Sequence, residues 1–262
     1  MKKVRGQRIN HLIPTEVLSN SLKGRIAAKA IKLYEDSSAK YRKGDDEGYG
    51  HYSLAYFREQ IGTITSAFQR KLSILDLGCG TGRYFHCLKN AEKITGVDVS
   101  ESMLMLAKNP TRKHEIEAAD IELICSDVHS VSLPAESFDF IYSIGLFGLH
   151  SPFNVDLCDK VFTWLKPGGK MYLYVMDAAT PQESNWKREI AVKIFPILPG
   201  WLKTRIFLRM DDFSVTEQDL RLIMAESLFT DVEIIRSRDL DPEQRVWRRM
   251  WFSCMASRQE GP

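Results

Sequence analysis

The sequence contains no apolar run of 18 residues, the minimum for a bilayer-spanning helix, so no membrane span is expected. Cysteine is scarce: Cys79, Cys87, Cys125, Cys158 and Cys254 are odd in number and lack C-x-x-C spacing. That argues against a disulfide framework and a zinc site, and points to reduced, mostly buried thiols in a cytoplasmic protein. Neither sign of charge is in excess, since 36 Lys and Arg against 34 Asp and Glu leave a formal net charge of +2. Nucleic acid is therefore not expected as a partner. The start, Met1-Lys-Lys-Val-Arg-Gly-Gln-Arg8, is basic but lacks the apolar stretch of a signal peptide. No internal repeat or low-complexity tract is visible. What remains is ordinary globular composition, 44% hydrophobic over 262 residues, enough for one or two domains.

Against that background one stretch stands out, Ile74-Leu-Asp-Leu-Gly-Cys-Gly-Thr-Gly-Arg-Tyr84. A short apolar run breaks into glycines at alternate positions, Gly78, Gly80 and Gly82. Asp98 follows twenty residues after Gly78, at the end of a second apolar run. The pattern predicts a strand, a turn without side chains, a helix start, and an acid at the tip of the next strand. Glycine lets the backbone take φ > 0 and lets a ligand lie against it. An acid at this distance suits the two hydroxyls of a ribose. An adenosine-containing cofactor is expected.

A dinucleotide fingerprint has a third glycine that packs helix on strand. Here that position is Arg83, and Asp76 precedes the first glycine. An acid there suits a cationic cofactor and disfavours a pyrophosphate, which argues against a NAD-linked oxidoreductase. The D-x-G-x-G-x-G stretch resembles motif I of the class I S-adenosylmethionine-dependent methyltransferases. Further segments follow in the order of that family: Ile121–Asp127, Phe138–Ser143, the Pro-Gly-Gly turn at Leu165–Gly169, and Lys170–Met176. The resemblance covers residues 71–177 at motif level.

Alternating strands and helices from Leu72 to Val175 imply a doubly wound, mostly parallel sheet with helices on both faces. Asp231–Arg236 and Met250–Ala256 read as two more strands. In the family these make an antiparallel hairpin that completes a seven-stranded sheet. Residues 1–70 read as a helical N-terminal extension, with helices at Val17–Tyr34 and His51–Phe68 and a loop at Lys43–Gly50. Residues 177–212 are too long for a simple loop and read as a helical cap. Ser214-Val-Thr-Glu217 reads as a capping box opening another helix.

The resemblance implies S-adenosyl-L-methionine as cofactor and assigns roles to named residues. The Gly78-Cys79-Gly80 backbone, with Gly82, lies against the methionine part, and Asp76 receives the amino group. Asp98 accepts the ribose hydroxyls. Val99 and Met103 flank the adenine, Asp127 and Val128 read its edge, and Ser143 lies at the end of the fourth strand. Tyr34-Glu-Asp-Ser-Ser-Ala-Lys-Tyr41 resembles a Y-D-x-x-A-x-x-Y stretch carried before motif I, which makes Tyr41 a candidate lid. His150 follows the fourth strand, where an imidazole can take a proton from a hydroxyl acceptor. The expected function is methyl transfer to O or N of a small, partly apolar acceptor. The alternative is a macromolecular acceptor, RNA or protein.

Overall fold

The apolar runs of the sequence become the central strands of a seven-stranded sheet, because a parallel strand covered on both faces is apolar at nearly every position. The computed structural model describes residues 20–35, 37–47, 52–178, 199, 213–240 and 251–259. Its strands are β1 (Leu72–Leu77), β2 (Ala91–Asp98), β3 (Asp120–Cys125), β4 (Phe138–Phe147), β5 (Leu165–Met176), β6 (Asp231–Arg236) and β7 (Trp251–Ser257). Their order across the sheet is β3-β2-β1-β4-β5-β7-β6. The first five run parallel, and β7 runs antiparallel to both β5 and β6. This is the expected doubly wound, mostly parallel architecture.

Helices α1 (Asn20–Glu35), α2 (Ser38–Glu47) and α3 (Tyr52–Ser66) precede the sheet, and α4 (Glu101–Ala107), α5 (Val155–Trp164) and α6 (Glu217–Glu226) follow within it. Alternation along the strands divides the core in two. Leu75, Leu77, Ile141 and Leu173 face Leu157 and Val161 of α5 and Leu220 and Met224 of α6. Ile74, Phe140 and Tyr172 belong to the other cluster, with Phe57 and Ile61 of α3 and Leu104 and Ala107 of α4. At the end of the sheet away from the glycine loop, the buried Asp139 carboxylate accepts from Ser73 N at 2.8 Å, Lys166 Nζ at 2.9 Å, and Arg70. Burial alone would raise its pKa, but the hydrogen bonds from Arg70, Lys166 and Ser73 outweigh it and hold the carboxyl below its ordinary value.

Four local expectations are corrected. The loop expected from Lys43 is mostly helix, since α2 continues through Glu47. The helix expected at the glycine loop is a single 3-10 turn, Phe85–Cys87. Tyr84 through Leu88 are all buried, which leaves no polar face for an amphipathic helix. The Pro-Gly-Gly segment belongs to β5 as an irregularity of register, where Phe138 pairs with Leu165 but Phe140 pairs with Lys170. Gly168 there has φ +75°, the left-handed region that glycine enters without strain. The capping box is formed by Thr216 and Asp219 rather than Ser214 and Glu217. The expected cap over residues 177–212 lies almost wholly outside the described residues.

Candidate functional site

The strand order places the carboxyl ends of β3, β2, β1 and β4 side by side, with a topological switch between β1 and β4. Asp127, Asp98, Asp76 and the segment after Ser143 therefore meet along one rim. The glycine loop turns sharply out of β1, with φ +79° at Gly78 and +52° at Gly80. Gly78 N and Cys79 N both donate to Val97 O, at 2.7 and 3.1 Å. A Cβ on Gly78 would lie 3.0 Å from the Leu146 side chain, whereas one on Gly80 would meet nothing within 4 Å. Gly80 instead borders a cleft of about 630 Å³.

Nearly all the residues singled out from sequence border this cleft: Asp76, Gly78, Cys79, Gly80, Asp98, Val99, Met103, Asp127 and Val128, together with Tyr41 and His150. Two do not. Ser143 is fully buried and donates its hydroxyl to Leu77 O at 2.7 Å, stapling β4 to β1. Gly82 packs inward, where a Cβ would lie 2.8 Å from the Phe85 ring. Gly82 packs within the glycine motif and Ser143 braces two strands, and neither borders the cleft.

Asp98 ends β2 and is held by its own neighbours, accepting from Gly80 N at 2.8 Å and Ser100 N at 2.9 Å. Ser100, not Asp98, caps α4. Asp76 lies beneath the glycine loop and accepts from the Tyr142 hydroxyl at 2.6 Å. Burial, resisted by the Tyr142 hydrogen bond and reinforced by the charge of Asp98, pushes Asp76 up to about 7. Asp98 is raised in the same direction by burial, against the pull of the Ser100 and Gly80 amides. Among the described residues bordering the cleft, Arg83 is the one Lys or Arg, and it is ion-paired with Asp45 at 2.5 Å. Two desolvated carboxyls facing a cleft favour a ligand that brings positive charge and hydroxyl donors.

Sequence reading missed several residues of the cleft. Tyr34 of α1 stacks edge-on to His150, with ring centroids 5.2 Å apart, and packs against the Tyr41 ring at 5.4 Å. It stood in the same motif as Tyr41, but only the return of α1 over the rim brings it here. Phe57, Tyr174 and Trp251 form an aromatic floor with centroids 5.1–5.7 Å apart. They come from α3, β5 and β7, and no local pattern links them. Ser151 borders the cleft while its hydroxyl meets His129 Nε2 at 2.9 Å, tying the loop after β3 to the loop after β4.

A parallel sheet with a glycine loop after β1 and an acid ending β2 defines a Rossmann-like, nucleoside-binding class of protein. Within that class, residues 74–169 match the family model described as a methyltransferase domain. Over that segment, which holds the glycine loop, Asp76, Asp98 and Asp127, the chain is similar to the class I S-adenosylmethionine-dependent methyltransferases. A ubiquinone biosynthesis O-methyltransferase of Coxiella burnetii is 33% identical over 100 residues, 38% of this chain and 41% of that one. This chain thus matches less than half the length of that curated relative. Among solved structures, a phosphoethanolamine N-methyltransferase of Haemonchus contortus aligns with TM-score 0.55 and 16% identity, over 79% of this chain and 53% of that one. The cyclase SpnF aligns with TM-score 0.60 and 16% identity, over 90% and 97%. At that identity both likenesses concern the fold alone. No helix among the described residues is long and apolar enough to cross a membrane, and no cluster among them could hold a metal ion. All five thiols are free, four buried and Cys125 exposed.

Proposed function

We propose that the chain transfers the methyl group of S-adenosylmethionine to an oxygen or nitrogen of a small, partly apolar acceptor. The observation that carries this reading is the pair of buried carboxyls, Asp76 and Asp98, flanking the glycine loop at the floor of the cleft. S-adenosylmethionine brings an ammonium for Asp76, ribose hydroxyls for Asp98, and no phosphate to meet either acid. Asp127 lies two strands over from Asp76, where the adenine amino group would reach it. Val99 and Met103 supply apolar contact to the ring. The cofactor supplies an activated methyl group, so the protein's task is to bind, aim and exclude water.

The rest of the cleft serves the acceptor. Tyr34 and Tyr41 cover it from the N-terminal helices, Phe57, Tyr174 and Trp251 line its floor, and Ile144, Leu146 and Leu149 form an apolar wall. His150 stands beside that wall as the candidate base, and Tyr41 as a cover. The relative that acts in ubiquinone biosynthesis supports a small acceptor. A macromolecular acceptor would call for a basic approach to the cleft, and the balanced charge of the sequence speaks against it.

Incubation with methyl-labelled S-adenosylmethionine and a metabolite extract, followed by mass analysis of the labelled product, tests the reading. Labelled product is expected only with the intact chain. Calorimetry is expected to show binding of S-adenosylmethionine and S-adenosylhomocysteine, and none of NAD. Tight NAD binding without the other two would sink the assignment.

Binding is also expected to depend on pH through Asp76. Its folded pKa of about 7 means that the free protein holds a proton there below neutrality. Pairing with an ammonium needs the ionised form, so that proton must leave on binding. Cofactor affinity should therefore fall by about tenfold per pH unit below 7 and level off above it. Calorimetry in two buffers of different ionisation enthalpy should detect proton release of up to about one per site. A flat profile with no release would place the ammonium away from Asp76.

A further inference from the structure

Helix α2, SAKYRKGDDE, has only Ala39 and Tyr41 as apolar residues, too few for a stripe that could hold it to the core. It is fastened at two polar points. Arg42 donates to Leu106 O at 2.8 Å and Asn109 O at 2.6 Å, the carbonyl end of α4, and to Thr111 Oγ1 at 3.1 Å. A guanidinium suits the negative end of a helix. At the other point Asp45, only 5% exposed, hydrogen-bonds the Thr81 hydroxyl and ion-pairs with Arg83. Thr81 and Arg83 belong to the glycine loop itself. Arg83 also lies 5.8 Å from the Tyr41 ring, so the same guanidinium touches the loop's latch and the lid's aromatic face.

Arg83 thereby gains a reason. It occupies the position where a dinucleotide site has glycine, and here it reaches out of the loop to a carboxylate on a separate helix. The helix that carries Tyr41, and that follows Tyr34 directly, is docked onto the same loop that would bind the methionine part of the cofactor. Burial pushes the Asp45 carboxyl above its ordinary value, and Arg83 and Thr81 only partly offset that. Loss of either partner would leave a desolvated carboxylate, so the closed position of α2 and the closed shape of the loop stand or fall together.

We infer that Asp45 is a positioning residue of the cofactor site: by holding Thr81 and Arg83 it locks α2 over the cleft, and this latch sets how long a bound cofactor stays. The inference rests on the methyltransferase reading above. It assigns cofactor retention to a residue of the N-terminal extension that touches no ligand itself. Release has to break the latch, and differences between variants of one binding site fall mostly in the off-rate.

The test follows S-adenosylhomocysteine on the full chain by stopped-flow or surface plasmon resonance, in the wild type, Asp45→Asn and Arg42→Ala. Arg42 hydrogen-bonds Leu106, Asn109 and Thr111 and does not border the cleft, so its variant loosens α2 while keeping Asp45, Thr81 and Arg83. Each variant should release the ligand about tenfold faster or more. If Asp45→Asn does not fold, Arg42→Ala decides alone. Folded variants that release at the wild-type rate would overturn the latch. Wild-type protein that binds no S-adenosylhomocysteine would overturn the methyltransferase reading beneath it, a result distinct from the first.

Discussion

His150→Ala lowers turnover on a hydroxyl acceptor by about 10²- to 10⁴-fold, the usual worth of general-base assistance, while cofactor affinity stays near the wild-type value. The expectation follows from placement. His150 borders the cleft just beyond β4, with its backbone N–H bonded to Leu146 O at 2.9 Å and its ring held edge-on by Tyr34. A hydroxyl must lose its proton as the methyl arrives, and an imidazole fixed in this way can accept it. The loss should be confined to kcat, because His150 is not among the residues expected to hold the cofactor. On an amine acceptor the nitrogen lone pair attacks directly, and the same variant should change little. Steady-state kinetics on the acceptor found by isotope transfer decides the matter. A folded variant with full activity on a proven hydroxyl acceptor would remove His150 from the chemistry and leave positioning and desolvation as the sources of rate.

The second large effect is expected at Asp98. Asp98→Ala should weaken S-adenosylmethionine binding by about 10- to 150-fold, since hydrogen bonds to a charged group contribute roughly 1.5–3 kcal/mol. The structure adds a second cause to the loss of ribose contact. The Asp98 carboxylate also holds Gly80 N and Ser100 N, so its removal loosens the glycine loop and the entry to α4. Asp98→Asn separates the two, because the amide keeps an acceptor oxygen and the shape but removes the charge. Calorimetric dissociation constants for both variants, read beside their thermal midpoints, distinguish a ligand contact from a scaffold contact. An unchanged constant in folded Asp98→Ala would leave Asp98 as a brace for the loop only.

The central sheet and the floor of the cofactor site were legible from sequence because their signals are local. Glycines at alternate positions can only follow a strand that must turn without side chains. An acid ending the next apolar run, such as Asp98 or Asp127, lands on the rim in any parallel sheet. The misreadings have an equally physical origin. Gly44 and the acids around it looked like a loop, but Asp45 finds Thr81 and Arg83 across the fold, and that pairing outweighs weak helix propensity. Ser143 looked like a site residue because it ends an apolar run, yet its side chain points to β1. Tyr34, Phe57, Tyr174 and Trp251 meet only through the order of the strands and the return of α1 and α3, which no spacing along the chain encodes.

The place of β7 has a consequence for synthesis. β7 is threaded between β5 and β6, so β6 at residues 231–236 has its hydrogen-bonding partner at residues 251–257. On the ribosome, β5 and β6 each present an open edge until β7 emerges, about 4–16 s for β5, which ends at Met176, and about 1–4 s for β6, at ordinary elongation rates. Exposed carboxylates stand on both outer strands of the finished sheet, Asp120 and Glu122 on β3, both ion-paired with Lys93, and Asp231 and Glu233 on β6. Negative charge of this kind discourages pairing with a foreign strand. The nascent chain therefore carries its protection against misassembly on the same strand that has to wait for its neighbour.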